Sequence, residues 1–370
     1  MNSTANWDSI FQASEKYRVT PLLYHRLKHL GVPAPLMKKL KTAHVANLWI
    51  NTDLYNELSK ILSTLQQAGI PVIVLKGAHL AEKVYSNIAL RSMNDLDILI
   101  RKTDLFAAEK KLLEMGYSSS RETDIEEVCA EFHQLPALIK PNAAVEIHWT
   151  IEYPTSPFKI DVDGLWKRAQ ATTIAGVETL VLSPEDLLLH LCLHTAFHHI
   201  FQFGLRPFYD IWETIRHYNI DWEQVQLRSH EWDANNSIYL ALYLAKTSFD
   251  ANVPNEVLEK LKPASFDPRV ESWAKEEILG KFEDIILPPS SVLIQFWKSK
   301  HLSEKAGIVL NRLFPYREEM AELYLVPPNS PKIYLYYPVR LINMFRRHSR
   351  ALWRLLRRDK ETVNFSEQQF

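Results

Sequence analysis

Apolar residues recur every three to four positions through residues 1–69, the spacing of amphipathic helices. Leu22, Leu23, Leu27 and Leu30 form one such run, broken between Gly31 and Pro35. Leu54, Leu58, Ile61, Leu62 and Leu65 form another inside a helix predicted over 36–68, with Gly69 as its stop. The pattern then changes. Pro71-Val-Ile-Val-Leu75 is a short continuous apolar run rich in β-branched residues, which predicts a buried strand. Lys76-Gly77 ends it, and Ala78 to Tyr85 reads as a helix. A second strand is predicted over Leu96-Asp-Ile-Leu-Ile100, then a helix capped by Thr103 and ending near Gly116. Ala144-Val-Glu-Ile-His-Trp149 alternates as a strand does.

Helical spacing returns at Ser183-Pro-Glu-Asp186, where a capping Ser, a Pro at the first helical position and two acids make a strong helix start. That helix continues from Leu187 to His199, and further helices fit 205–218, 235–250 and 255–262. The Pro-rich stretches 284–290 and 326–338 read as connections, and a basic helix is predicted over 339–358. The expected fold class is therefore α+β and mainly helical. Residues 1–69 make an N-terminal helical region, 70–180 an α/β core, 181–330 a helical domain and 331–370 a basic C-terminal helix. Composition agrees: only 9 of 370 residues are Gly, an excess of helix formers over turn formers.

Charge narrows the function only slightly. A net charge of −1 gives no global preference for nucleic acid or membrane. Cys129 and Cys192 are the only cysteines, too few for a disulfide framework and without a zinc spacing. Met1 to Trp7 has no apolar signal core, and no apolar run approaches the roughly 20 residues that span a bilayer. A cytoplasmic protein is the expectation.

The chemistry concentrates in Arg91-Ser-Met-Asn-Asp-Leu-Asp-Ile-Leu-Ile100. On a strand, Leu96, Ile98 and Ile100 face the core, so Asp95 and Asp97 share the opposite face. Two carboxylates so placed suit a hard divalent cation, or two cations clamping an in-line phosphoryl displacement. An Asp-x-Asp alone is a weak signal. Its setting strengthens it: a Gly at the strand-to-helix turn lets backbone N–H groups approach a phosphate, and Lys76 and Arg91 can offset polyphosphate charge. Glu146 and His148 share one face of the later strand, so Glu146 is a candidate third carboxylate.

Leu75-Lys-Gly-Ala-His-Leu-Ala-Glu-Lys-Val-Tyr85, Arg91-x-x-x-Asp-x-Asp97 and Val145-Glu-Ile-His-Trp149, in this order, resemble an uncharacterised bacterial nucleotidyltransferase family of the DNA polymerase beta-like superfamily. The resemblance covers most of residues 15–220. It implies a small mixed sheet flanked by N-terminal and C-terminal helical regions, and Mg²⁺ (or Mn²⁺) held by Asp95, Asp97 and Glu146 as the catalytic acids. It places an NTP against Lys76, Gly77, Ala78, Arg91 and His148. The implied reaction moves an NMP to an acceptor hydroxyl or phosphate and releases pyrophosphate; the acceptor is a metabolite, a peptide or a protein. One departure matters: the family's Ser after the turn Gly is Ala78 here. The alternative is thus a catalytically weakened nucleotide-binding regulatory module.

Three further signals have more than one reading each. His190, His194 and His198 share a helix face; zinc binding lacks the Glu of a His-Glu-x-x-His site, so a polar seam between helices, or a lining of the cleft, is favoured. Arg206 and Asp210 have the spacing of an intrahelical ion pair, favoured over a role in closing over substrate. The arginines of 339–358 (Arg340, Arg346, Arg347, Arg350, Arg354, Arg357 and Arg358), beside Leu341, Phe345, Leu352 and Leu356, fit a helix docked on the body. They also fit an anionic membrane surface, nucleic acid or an acidic partner, nucleic acid being the less favoured.

Overall fold

The computed structural model describes residues 6–121, 123–199, 201, 204–263, 266, 268–278, 314, 317, 320 and 330–341. The chain divides into two compact units, Met1–Lys262 and Pro263–Phe370.

In the first unit three helices lead: α1 (Trp7–Lys16), α2 (Thr20–Leu27) and the long α3 (Ala34–Gln67). Gly69 takes the left-handed conformation expected at the end of α3. The sheet begins with β1 (Ile73–Val74), which passes through the short α4 (Lys76–His79) into a π-helical turn, Leu80–Val84. β2 (Leu96–Leu99) and α5 (Leu105–Glu114) follow, then α6 (Ile125–Glu131), β3 (Leu138–Lys140) and β4 (Ala143–His148). After α7 (Val162–Arg168) comes a hairpin, β5 (Gln170–Ile174) and β6 (Val177–Val181). Its two-residue turn, Ala175-Gly176, has positive φ at both positions, the twist-matched geometry of a tight hairpin.

The strand order is β3-β4-β2-β1-β6-β5. β2 runs parallel to β4 and β1 parallel to β6, while β1–β2, β3–β4 and β5–β6 are antiparallel. The sheet is thus mixed, within a mainly helical α+β fold, as expected.

Leu96, Ile98, Val145 and Ile147 on one sheet face pack with Leu58, Ile61 and Leu65 of α3 and Leu105, Ala108 and Leu112 of α5. The predicted inward residues of β2 therefore do build the core. Ile73, Asp97, Leu99 and His148 on the other face are buried as well, so this face is not solvated. The next helix, α8 (Pro184–Leu193), continues as a π-helical segment, His194–His198, and brings His194 within 3.4 Å of Lys76 Nζ. The Ser183 side chain caps α8 by accepting from Asp186 N. α9 (Arg206–His217), α10 (Trp222–Glu231), α11 (Asn235–Phe249) and α12 (Asn255–Leu261) complete the unit.

Two local expectations are corrected. Thr103 does not cap α5: it lies inside a 3₁₀ turn, Lys102–Asp104, and α5 starts at Leu105 without a side-chain cap. The stretch 326–338 is not wholly a connection, because residues 333–341 are helical. Pro327, Pro328 and Pro331 precede that helix, whereas Pro338 stands inside it and has no N–H to give to the residue 334 carbonyl. The stretch 284–290 and the basic helix beyond residue 341 lie outside the described residues. In the second unit α13 spans Pro268–Ile278, and Met320 and Ile333 form a small core with Tyr336 and Tyr337.

Candidate active site

The β1–β2 register fixes the centre of the site. Ile73 pairs with Leu99 and Val74 with Ile98, and Leu75 N donates to Asp97 O. Lys76, the next residue, therefore emerges beside Asp97. Its backbone sits at φ 24, inside the left-handed region that a side chain disfavours. Strain of this kind persists where the surroundings hold a residue for a purpose. Lys76 Nζ lies 2.9 Å from Asp97 Oδ1, both side chains being at most 10% exposed.

Parallel pairing of β2 with β4 sets Asp97 beside Glu146 and Leu99 beside His148. His148 Nε2 is 3.0 Å from Asp97 Oδ1 and 3.6 Å from Glu146 Oε2. One donor atom from each of Asp97, Glu146 and His148 lies within 4.8 Å of the others, the only such group of metal-ligating type among the described residues. Two carboxylates and an imidazole suit a divalent cation. Asp95 stands just before β2, half-buried, and does not join that group.

The two aspartates are electrostatically opposed. Burial would raise the Asp97 carboxyl, but Lys76 and the His148 hydrogen bond hold it well below the usual carboxylate range. Asp95 is pushed up by burial first, then by the Asp97 and Glu146 carboxylates. The two carboxyls are thus shifted in opposite directions.

Arg91 is engaged within the protein. Its Nε donates to Asp210 Oδ1 and its Nη2 to Asp210 Oδ2, each at 3.0 Å, and Tyr85 Oη donates to the same Oδ1 at 2.6 Å. Asn51 of α3 donates to the Arg91 carbonyl at 2.7 Å. Arg91 Nη1 lies beside Gly77: a Cβ there would stand 3.0 Å from Nη1 and 3.3 Å from Met93 Sδ. A Cβ at Gly77 would therefore press on Arg91, which Asp210 holds in place. Ala78 is buried, and its carbonyl accepts from Tyr55 Oη at 2.6 Å. Arg206 and Asp210 turn to other partners: Arg206 Nη1 donates to Ser92 O at 3.1 Å, while Asp210 holds Arg91.

The histidine face of α8 and its π extension closes over this centre. His194 reaches Lys76, and His199 Nε2 lies 3.1 Å from His194 Nε2. His198 Nε2 is 2.8 Å from Glu152 Oε1. The His133 ring lies 5.2 Å from that of His148 and 5.0 Å from that of His198. Burial first, then the Lys76 charge, pushes His190 and His194 well below their ordinary value, and His199 is lowered by burial and His198 to about 3. The Nδ1 atoms of His133, His148 and His190, and Glu152 Oε2, are buried without a hydrogen-bond partner.

Residues 76, 77, 91, 95, 97, 146 and 148 therefore converge. His133 and Glu152 had no sequence signal as part of this site, because their partners lie 15 and 46 positions away along the chain.

A family model described as an uncharacterised nucleotidyltransferase matches residues 3–250. The antibiotic-resistance factor ANT(2'')-Ia, known from a solution structure, is similar at 14% identity over 61% of this chain and 97% of that one, with a TM-score of 0.31. No curated protein matches significantly.

Proposed function

The chain belongs to this uncharacterised nucleotidyltransferase family, and from that premise we propose that it transfers an NMP from an NTP to an acceptor hydroxyl or phosphate, assisted by a divalent cation. The observation that carries this reading is the meeting of Asp97, Glu146 and His148 beside Lys76, at a strand-to-helix turn. Asp97, Glu146 and His148 would hold the cation, which when bound withdraws charge from phosphoryl oxygens. Lys76, beside Asp97, would lend its ammonium to the triphosphate and supply the contact that Ala78 lacks. Asp95, with its raised affinity for protons, would accept the proton of the attacking hydroxyl. The acceptor oxygen bonds to the α-phosphorus, the bond from that phosphorus to the β-phosphate bridge breaks, and pyrophosphate leaves. Arg91 holds the turn in place from Asp210.

The acceptor is a metabolite, a peptide or a protein. The test is incubation with each α-³²P-labelled NTP and Mg²⁺ or Mn²⁺ in the presence of cell extract. We expect a labelled product with the unmodified protein and at least a 100-fold loss in Asp97→Asn. Equal labelling by that variant refutes the assignment. Nucleotide binding without any labelling supports the regulatory module that Ala78 first suggested.

A further inference from the structure

A two-ion centre needs carboxylate oxygens free to bridge cations roughly 3.5–4 Å apart. Asp97 does not offer that freedom. Its Oδ1 meets Lys76 Nζ at 2.9 Å and His148 Nε2 at 3.0 Å. The ammonium is fixed from several sides. Lys76 follows β1 directly, its left-handed backbone aims the side chain, and His194 Nε2 stands 3.4 Å from Nζ. Lys76 is 8% exposed, so water does little to screen it. A cation 2.9 Å from a bridging oxygen occupies the neighbourhood that a second ion requires, and like charges exclude one another there.

The same Oδ1 has a second neighbour of different character. Glu146 Oε2 and Asp97 Oδ1 both face His148 Nε2, at 3.6 and 3.0 Å. The nitrogen that bridges the carboxylates is therefore placed to bind an ion between them. Mg²⁺ favours all-oxygen octahedra and keeps its waters. Imidazole nitrogen shifts preference toward later divalent ions.

Resting on the transferase reading, we propose that the centre holds one divalent ion of the class that accepts imidazole nitrogen, Mn²⁺ before Mg²⁺, on Asp97, Glu146 and His148, while the Lys76 ammonium takes the place of a second. A triphosphate oxygen that reaches this ammonium shares it with Asp97, so that place stays filled.

Mn²⁺ titration of the full chain, followed by electron paramagnetic resonance with and without an α,β-methylene NTP analogue, tests this. We expect one Mn²⁺ per chain in the ternary complex. His148→Gln should weaken Mn²⁺ binding at least 10-fold and Mg²⁺ binding less. Lys76→Met should admit a second Mn²⁺, seen as a spin-coupled pair; the count in the unmodified chain stands even if that variant misfolds. A coupled pair in the unmodified protein, Mn²⁺ affinity indifferent to His148→Gln, or no bound Mn²⁺ overturns the one-ion centre. Label transfer is read separately: transfer with two ions overturns this inference alone, whereas absence of both analogue binding and transfer overturns the transferase reading beneath it.

Discussion

Removing the Asp210 carboxylate should unhinge the candidate site more than any other single change outside it. Asp210 accepts two N–H bonds from Arg91 and one O–H bond from Tyr85, and all three side chains are buried. Asp210→Leu leaves the Arg91 guanidinium without its counter-ion in a site that water does not reach. Breaking a buried pair from one side costs about 3–5 kcal/mol, because the surviving charge is uncompensated. Arg91→Met should cost less, since Tyr85 still donates to Asp210 and the carboxyl can take up a proton. The double variant, Arg91→Met with Asp210→Leu, removes both charges and refills the volume with apolar atoms. It should lie within about 1–2 kcal/mol of the unmodified protein, because apolar replacement of a whole buried pair is often close to neutral.

Urea unfolding followed by tryptophan fluorescence supplies the assay, since Trp212 lies on α9 two residues from Asp210. The four proteins close a double-mutant cycle, and the expected coupling is about 2–3 kcal/mol. Strictly additive single costs would refute the reasoning, as would an Asp210→Leu cost below about 1 kcal/mol. Either result would mean that Arg91 is not committed to Asp210 and is free for a phosphate.

Acid should destabilise the fold through its neutral histidines. His79, buried and hydrogen-bonded to Tyr218, is lowered by burial and by His217 to about 3, and His190, His194 and His199 are lowered as well. The unfolded chain protonates first, near pH 6.5, so this stability is present above pH 6.5 and is lost as pH falls toward the folded values. Each histidine contributes a slope of up to about 1.4 kcal/mol per pH unit. His79→Gln should flatten the loss between pH 6.5 and 5 in urea midpoints; an unchanged slope counts against a buried neutral imidazole. Gly77→Ala should destabilise by about 1–3 kcal/mol, because its Cβ meets an Arg91 that Asp210 prevents from yielding. That cost should shrink in an Asp210→Ala background, and an equal cost in both backgrounds would argue against it.

Local periodicity made much of this architecture legible. The residues of β2 that alternation turns inward do pack against α3 and α5, and Ser183 caps α8 where its sequence signature stands. The β5–β6 hairpin carried no clear signal, because Gln170-Ala-Thr-Thr-Ile174 is mostly polar and its turn is Ala-Gly rather than Asn-Gly. Thr103 resembles a cap by sequence, but a 3₁₀ turn precedes α5 and absorbs it. At the site, strand spacing placed Glu146 and His148 on one face but could not show which strand β4 joins. Only the parallel register with β2 sets them beside Asp97.

The same register explains why the second sheet face is buried. An exposed Asp97 would need no partner beyond water, and Lys76 beside it would contribute little. Once α8 and its π extension cover that face, the carboxylate needs a cation, and the imidazoles around it are held neutral by burial. Lys76 is then the fixed positive charge at the centre, placed there by a backbone conformation that a lysine disfavours. A cover that served packing alone would be better built from Leu and Phe, which need no partners. Histidines with buried, unpartnered Nδ1 atoms around one lysine and one aspartate instead carry a desolvation cost. That cost is offset if a polyphosphate and its cation enter beneath the helix, since both supply the partners these nitrogens and carboxylates lack.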